Sequence, residues 1–197
     1  MNKYEFLGTA ISHMIEHGKS VKLIHRKSVK CDGVATGGFC NENGITMATK
    51  QDSWFQLFVH EYCHFLQEID DDYTENDDDD AWNNYDHWLL GKCELKPEQI
   101  KRATKLIRDC EIDCEKRAVE LIKKYNLPID VERYTQEANV YALFYTLVSK
   151  YRMWYSGESP CSIKELADLM PTEFKSSWNR VPKKFEEIVK EKCFEMA

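Results

Sequence analysis

Two histidines four residues apart with a glutamate between them, His60-Glu61-Tyr62-Cys63-His64, are the residues of this chain best suited to chemistry. On a helix, positions i and i+4 project from one face about a turn apart, so both imidazoles can meet a single ion. A tetrahedral zinc ion takes two such nitrogens and a third protein ligand, and keeps its fourth position for water. Glu61, one step round the helix, can reach that water and take its proton, because zinc lowers the water's pKa to about 7. The segment around these polar groups is the most apolar in the chain, with Trp54, Phe55, Leu57, Phe58, Val59, Phe65 and Leu66. An unpaired imidazole or carboxylate is costly in such surroundings, so the pattern reads as a metal site rather than a chance match.

Three residues compete for the third ligand. Asp70 stands ten residues after His60, but a chain turning back at that spacing needs glycine at position 67, where Gln67 stands. His87 lies in an acidic, loop-like stretch. Glu111 fits better: it sits at the edge of an apolar helical stripe made by Ile100, Ala103, Ile107, Cys110, Cys114, Ala118 and Leu121. Asp113 and Glu115 fall farther round, about 100° from the stripe's centre. A carboxylate among apolar neighbours calls for a cation, which a metal supplies; the ordinary alternative is a pair with Arg108, three residues back on the same helix.

His60-Glu61-Tyr62-Cys63-His64 and Glu111-Ile112-Asp113-Cys114-Glu115-Lys116-Arg117-Ala118 together resemble the gluzincin branch of the zincin metallopeptidases. The chain is also similar to zincin-like proteins encoded by large bacteriophages. The resemblance covers residues 20 to 125 and implies a zinc site of His60, His64 and Glu111, with Glu61 as general base. It further implies that Glu115 accepts the other ring N–H of His60. Ile45 to Lys50 takes the place of the family's cleft strand, which pairs with an extended peptide. Departures are Cys63 inside the first motif, Glu115 where aspartate is commoner, and a long acidic insertion between the two helices. The implied activity is a zinc metalloendopeptidase, with Glu61 activating the zinc-bound water that attacks the peptide bond. The alternative is a catalytically silent zincin scaffold that binds a basic protein partner through its acidic segment, residues 68–87.

The elements that must position these residues are legible from periodicity and punctuation. Tyr4, Leu7, Ile11, Met14 and Ile15 fall on one helical face, and Val21 to His25 reads as a short strand. A hairpin follows, with one arm from Ser28 to Cys40, a turn at Asn41-Glu42-Asn43-Gly44 and a second arm from Ile45 to Lys50. Asp52 or Ser53 caps a helix from Trp54 to Glu68. Pro97 opens a long helix that Asn126 and Pro128 end, and another covers Val131 to Tyr155. Ser162-Ile163-Lys164-Glu165 has the form of a capping box, and a last helix runs from Pro182 to Phe194. The expected fold is α+β: a predominantly helical, zincin-like domain over residues 1–155 with a small N-terminal sheet, and a helical C-terminal extension over residues 156–197 packed on it.

Composition narrows the remaining choices. Hydrophobic residues make up 43% of the 197, which is enough for a real core. No apolar run is long enough to span a membrane, and Glu5, His13, Glu16 and His17 interrupt the start, so a cytoplasmic protein is expected. The eight cysteines then read as reduced thiols, with Cys110 and Cys114 as small buried hydrophobes. A second metal site drawn from Cys31, Cys40, Cys110 or Cys114 is the less favoured reading, since no C-x-x-C pair occurs. Residues 68–87 hold ten acids and no Lys or Arg, so the net charge of −7 belongs to that segment and the remainder is mildly basic. No basic stripe with interleaved aromatics stands out, which argues against direct nucleic-acid binding. Tyr134, Tyr141, Tyr145, Tyr151 and Tyr155 include candidate donors to an oxyanion, although tyrosines at helical spacing more often belong to the core.

Overall fold

The computed structural model describes residues 1–31, 34–70, 84–178 and 180–194, and divides into two compact units. The first comprises Met1–Glu75 and Cys114–Ile129; the second comprises Asn76–Asp113 and Asp130–Ala197. The fold class is α+β, with a small sheet early in the chain and helices after it.

In the first unit, α1 (Lys3–Glu16) opens on a capping box. The Asn2 carboxamide oxygen accepts from the Tyr4 and Glu5 N–H groups, and the Glu5 carboxylate accepts from the Asn2 N–H. Its buried face is Phe6, Ala10 and Met14. This corrects the stripe expected from the sequence: Tyr4 and Ile15 are 70% and 62% exposed. Phe6 decides the matter, because its ring packs edge-on against Phe55 and Tyr62 and tilted against Tyr125.

Strand β1 (Ser20–Ile24) pairs in parallel with β5 (Gly44–Ala48), and β5 pairs antiparallel with β4 (Gly38–Asn41), giving the order β1-β5-β4. The turn at Asn41–Gly44 lies where the sequence places it. Gly44 has φ +117°, and a Cβ there would stand 2.0 Å from the Ser20 carbonyl oxygen, so no other residue fits. The expected single arm from Ser28 to Cys40 is instead three strands: β2 (Val29–Cys31) and β3 (Val34–Thr36) make a separate two-stranded sheet before β4 begins. The order also places β5 in the centre, with both sides paired. The segment Ile45 to Lys50 therefore cannot receive an extended peptide, and the sheet's edges are β1 and β4.

Helix α2 (Trp54–Ile69) packs against β4 and β5. Ser53 occupies its N-cap position, but its side chain makes no capping hydrogen bond. Phe55, Phe58, Val59, Cys63 and Phe65 bury fully or nearly so, which is why a helix apolar almost all round belongs here.

The second unit contains α3 (Tyr85–Leu89), the first part of α4 (Pro97–Tyr125), α5 (Val131–Tyr151), a 3-10 turn (Pro160–Ser162), α6 (Lys164–Ala167) and α7 (Lys183–Lys192). Its core joins Tyr85 and Trp88 of α3 to Leu143, Phe144 and Leu147 of α5 and to Phe185 and Val189 of α7. Asn139, fully buried, donates to the Pro171 and Glu173 carbonyls and accepts from the Lys175 N–H, which secures the strandless segment before α7. Helix α5 stops at Tyr151 rather than Tyr155. Arg152 there adopts φ +51° and is held by bonds to the Trp88 and Cys93 carbonyls and to Glu94. The expected capping box also fails: Ile163 is the N-cap of α6, and the Ser162 hydroxyl donates to Ser159. Most of the acidic segment lies outside the described residues. No described helix is long and apolar enough to cross a membrane.

Candidate metal centre

Helix α2 delivers His60 and His64 on one face, and their Nε2 atoms lie 3.1 Å apart. The opposite edge of each ring is already engaged. His60 Nδ1 is 3.2 Å from the Glu115 carboxylate, and His64 Nδ1 is 2.9 Å from the Gln67 carboxamide oxygen. Glu115 and Gln67 are only 8% and 3% exposed, so both partners act in a dry environment, where such bonds orient strongly. An imidazole that donates from Nδ1 keeps its lone pair on Nε2. With Nδ1 of both rings donating, the two Nε2 lone pairs would face each other and a shared proton or a metal ion between them would relieve the repulsion. Two zinc–nitrogen bonds of about 2.0–2.1 Å at the tetrahedral angle set the nitrogens about 3.3–3.4 Å apart, close to the observed separation. The two nitrogens therefore suit a transition ion that accepts imidazole, zinc among them.

Helix α4 brings Glu115 to this face. From Cys114 onward its buried residues are Cys114, Glu115, Ala118, Val119 and Ile122. Earlier in the helix they are Ala103, Thr104 and Ile112. The single stripe expected from the sequence thus misplaces Glu115, which is buried rather than set off to one side. Cys114, buried as expected, has a second property: its thiol donates to the His60 carbonyl oxygen at 3.2 Å and lies 3.6 Å from His60 Nδ1. His60, His64 and Cys114 make up a group whose potential ligand atoms all lie within 4.8 Å of one another. The ring atom of His60 that Cys114 approaches at 3.6 Å is Nδ1, on the edge that Glu115 occupies.

Glu61 is 7% exposed. Its charge helps to raise the Cys40 thiol on β4, which is pushed up to about 12 chiefly by burial, while His64 acts in the opposite sense. Helix α2, which carries Glu61 and His64, packs on β4, the strand of Cys40. Two ion pairs, Lys19 with Glu68 and Arg117 with Asp70, hold the C-terminal end of α2. The second of them engages Asp70. His87 is exposed on α3.

Glu111 lies on α4 four residues before Glu115, half-buried. Arg108, the partner that would make it an ordinary helix glutamate, instead donates to the Thr146 hydroxyl at 3.3 Å. On α5, Tyr141 and Tyr145 hydrogen-bond to each other at 3.2 Å. Both hydroxyls are held well above the ordinary tyrosine range, first by burial and then partly by the negative charge of Glu111. Of the other tyrosines, Tyr151 donates to Glu186, and Tyr155 is raised by burial. All eight cysteines are free thiols.

Gln67, and the place of Cys114 beside His60 and His64 rather than in a second metal site, are what reading the sequence alone missed. Gln67 was legible in principle as a carboxamide one turn after His64 on the same face. Cys114 carried no local signal, because a small thiol in an apolar stripe looks like packing. Comparison with known protein families, curated proteins and solved structures finds no match to this chain.

Proposed function

We propose that the chain is a zinc-dependent metallopeptidase acting on peptide bonds. The observation that carries this reading is the pair of Nε2 atoms 3.1 Å apart, each on a ring whose other nitrogen is held by a buried oxygen. His60 and His64 hold the ion, and Glu111 is the third ligand, on the strength of the motif. When bound, zinc lowers the pKa of water and polarises a carbonyl oxygen. Glu61 supplies the proton traffic. It takes a proton from the attacking water and hands it to the leaving amine, with its own pocket closed to bulk solvent. Glu115 and Gln67 fix both imidazoles in the tautomer that leaves Nε2 for the ion. An extended substrate lies along β4, the sheet edge beside Glu61, in place of the β5 segment suggested by the sequence. We assign the protein to the cytoplasm, a compartment that suits eight free thiols.

A second set of ligands is favoured by one observation, the proximity of the Cys114 thiol to both histidines. Cobalt substitution separates the two. A His60, His64 and Glu111 site gives visible bands alone, whereas a Cys114 thiolate adds a near-ultraviolet charge-transfer band that Cys114→Ser removes. The functional reading is tested by metal analysis and peptide cleavage together. Wild type is expected to hold one zinc tightly at His60 and His64 and to cut a mixed peptide library in a chelator-sensitive way. Glu61→Gln should keep the zinc and lose cleavage by roughly 10²–10⁴-fold. Equal cleavage by that variant would overturn the mechanism.

A further inference from the structure

A second pair of histidines four residues apart stands at the end of α1. His13 is in its last turn and His17 is its C-cap. Their ring centroids are 4.7 Å apart at 85°. Both rings pack edge-on against Phe65, at 5.4 and 5.6 Å. Both Nδ1 atoms are engaged: His17 Nδ1 donates to the His13 carbonyl oxygen at 2.9 Å, and His13 Nδ1 is 2.7 Å from the Tyr62 hydroxyl. A backbone carbonyl on Nδ1 is a partner that metal-binding imidazoles commonly use. The tyrosine hydroxyl can likewise accept from Nδ1–H, which leaves both Nε2 atoms as donors to an ion.

The surrounding charges favour a cation. The pair sits at the carbonyl end of α1, the negative end of the helix dipole. His13 lines an open cleft together with Glu5 and Glu16. Lys19, two residues after His17, is turned to the Glu42 carbonyl and the Glu68 carboxylate, which offset its charge. His17 is exposed, so water can complete the coordination.

We infer that His13 and His17 form a peripheral site for a divalent transition ion that accepts imidazole nitrogen. It is separate from the His60 and His64 centre and does not depend on the proposed activity. With two protein ligands it binds more weakly than a three-ligand site, so it fills second.

The test is titration of the full-length, metal-free protein with zinc chloride, followed through the histidine ring ¹H–¹⁵N signals. The first equivalent should move His60 and His64, and the second should move the Nε2 signals of His13 and His17. His17→Gln, at an exposed position, should weaken the second event at least tenfold and leave the first intact. His25→Gln, at another exposed histidine, should change neither. Second-equivalent binding by His17→Gln as tight as wild type, or no movement of the His13 and His17 signals, would overturn the inference. If the first event were missing but the second present, the metallopeptidase reading would fail and this one would stand.

Discussion

The two histidine pairs are nearly the same local object placed in two settings. His60 with His64 and His13 with His17 share a spacing of four residues, ring centroids 4.7 Å apart and nearly perpendicular rings. They differ in what holds the far edge of each ring. The first pair leans on a carboxylate and a carboxamide that are both buried; the second leans on a tyrosine hydroxyl and a main-chain carbonyl near solvent. Spacing gives a helix the means to chelate, but buried partners on Nδ1 aim the lone pairs and remove the competing water. The two pairs should therefore differ in affinity far more than their motifs suggest.

The sharpest way to break this comparison is to remove one ring from each pair. His64→Gln should abolish stoichiometric zinc at concentrations where wild type is saturated, while His17→Gln should leave the tight equivalent in place. Equilibrium dialysis with metal analysis reads both. If the two variants lost the same equivalent, the pairs would not be distinct sites.

The next effect comes from the partner of His60. Glu115→Ala removes the buried carboxylate from Nδ1, and losses of this kind typically weaken metal binding by about 10–100-fold. Glu16→Ala, on the exposed pair's helix, should leave the tight equivalent unchanged. Competition with a chromophoric chelator measures the difference, and a Glu115→Ala protein as tight as wild type would show that the carboxylate does not orient His60. Gln67→Leu tests the other ring in the same assay, with a smaller loss expected because a neutral carboxamide oxygen is the weaker acceptor.

How much of this was visible in the residues differs by element. The limits of α2 and α4 and the turn before β5 were legible, because apolar periodicity, Pro97 and Gly44 are local signals. The sheet order was not. Whether β4 or β5 lies at the edge depends on β1 pairing in parallel with β5 across the intervening strands, and no local pattern records that. The burial of Glu115 was hidden for a related reason: Ile100, Ile107, Cys110 and Leu121, which set the expected stripe, are only half-buried, and the buried face lies farther round the helix, where Thr104, Glu115 and Ile122 align. On α1, Tyr4 and Ile15 look like core residues by type, yet Phe6, Ala10 and Met14 fit the aromatic surface of α2 and take the interior.

The smallest expected effect concerns Tyr62, one of the residues that tie α1 to α2. Its ring is 7% exposed, lies edge-on to Phe6 and is stacked with Phe58, so Tyr62→Phe keeps the packing and deletes a single hydroxyl. Burial pushes that phenol up to about 12, so at neutral pH the group lost is an uncharged hydrogen-bond partner of His13. The loss should cost about 0.5–1.5 kcal/mol of stability, seen as a lower denaturant midpoint with an unchanged slope. Zinc at the buried pair should bind as before, because Tyr62 points to α1, while Nδ1 of His60 and of His64 rest on Glu115 and Gln67. A matching loss of tight zinc would mean that the two pairs are coupled through α2, and the contrast between them would then have to be read as one extended network.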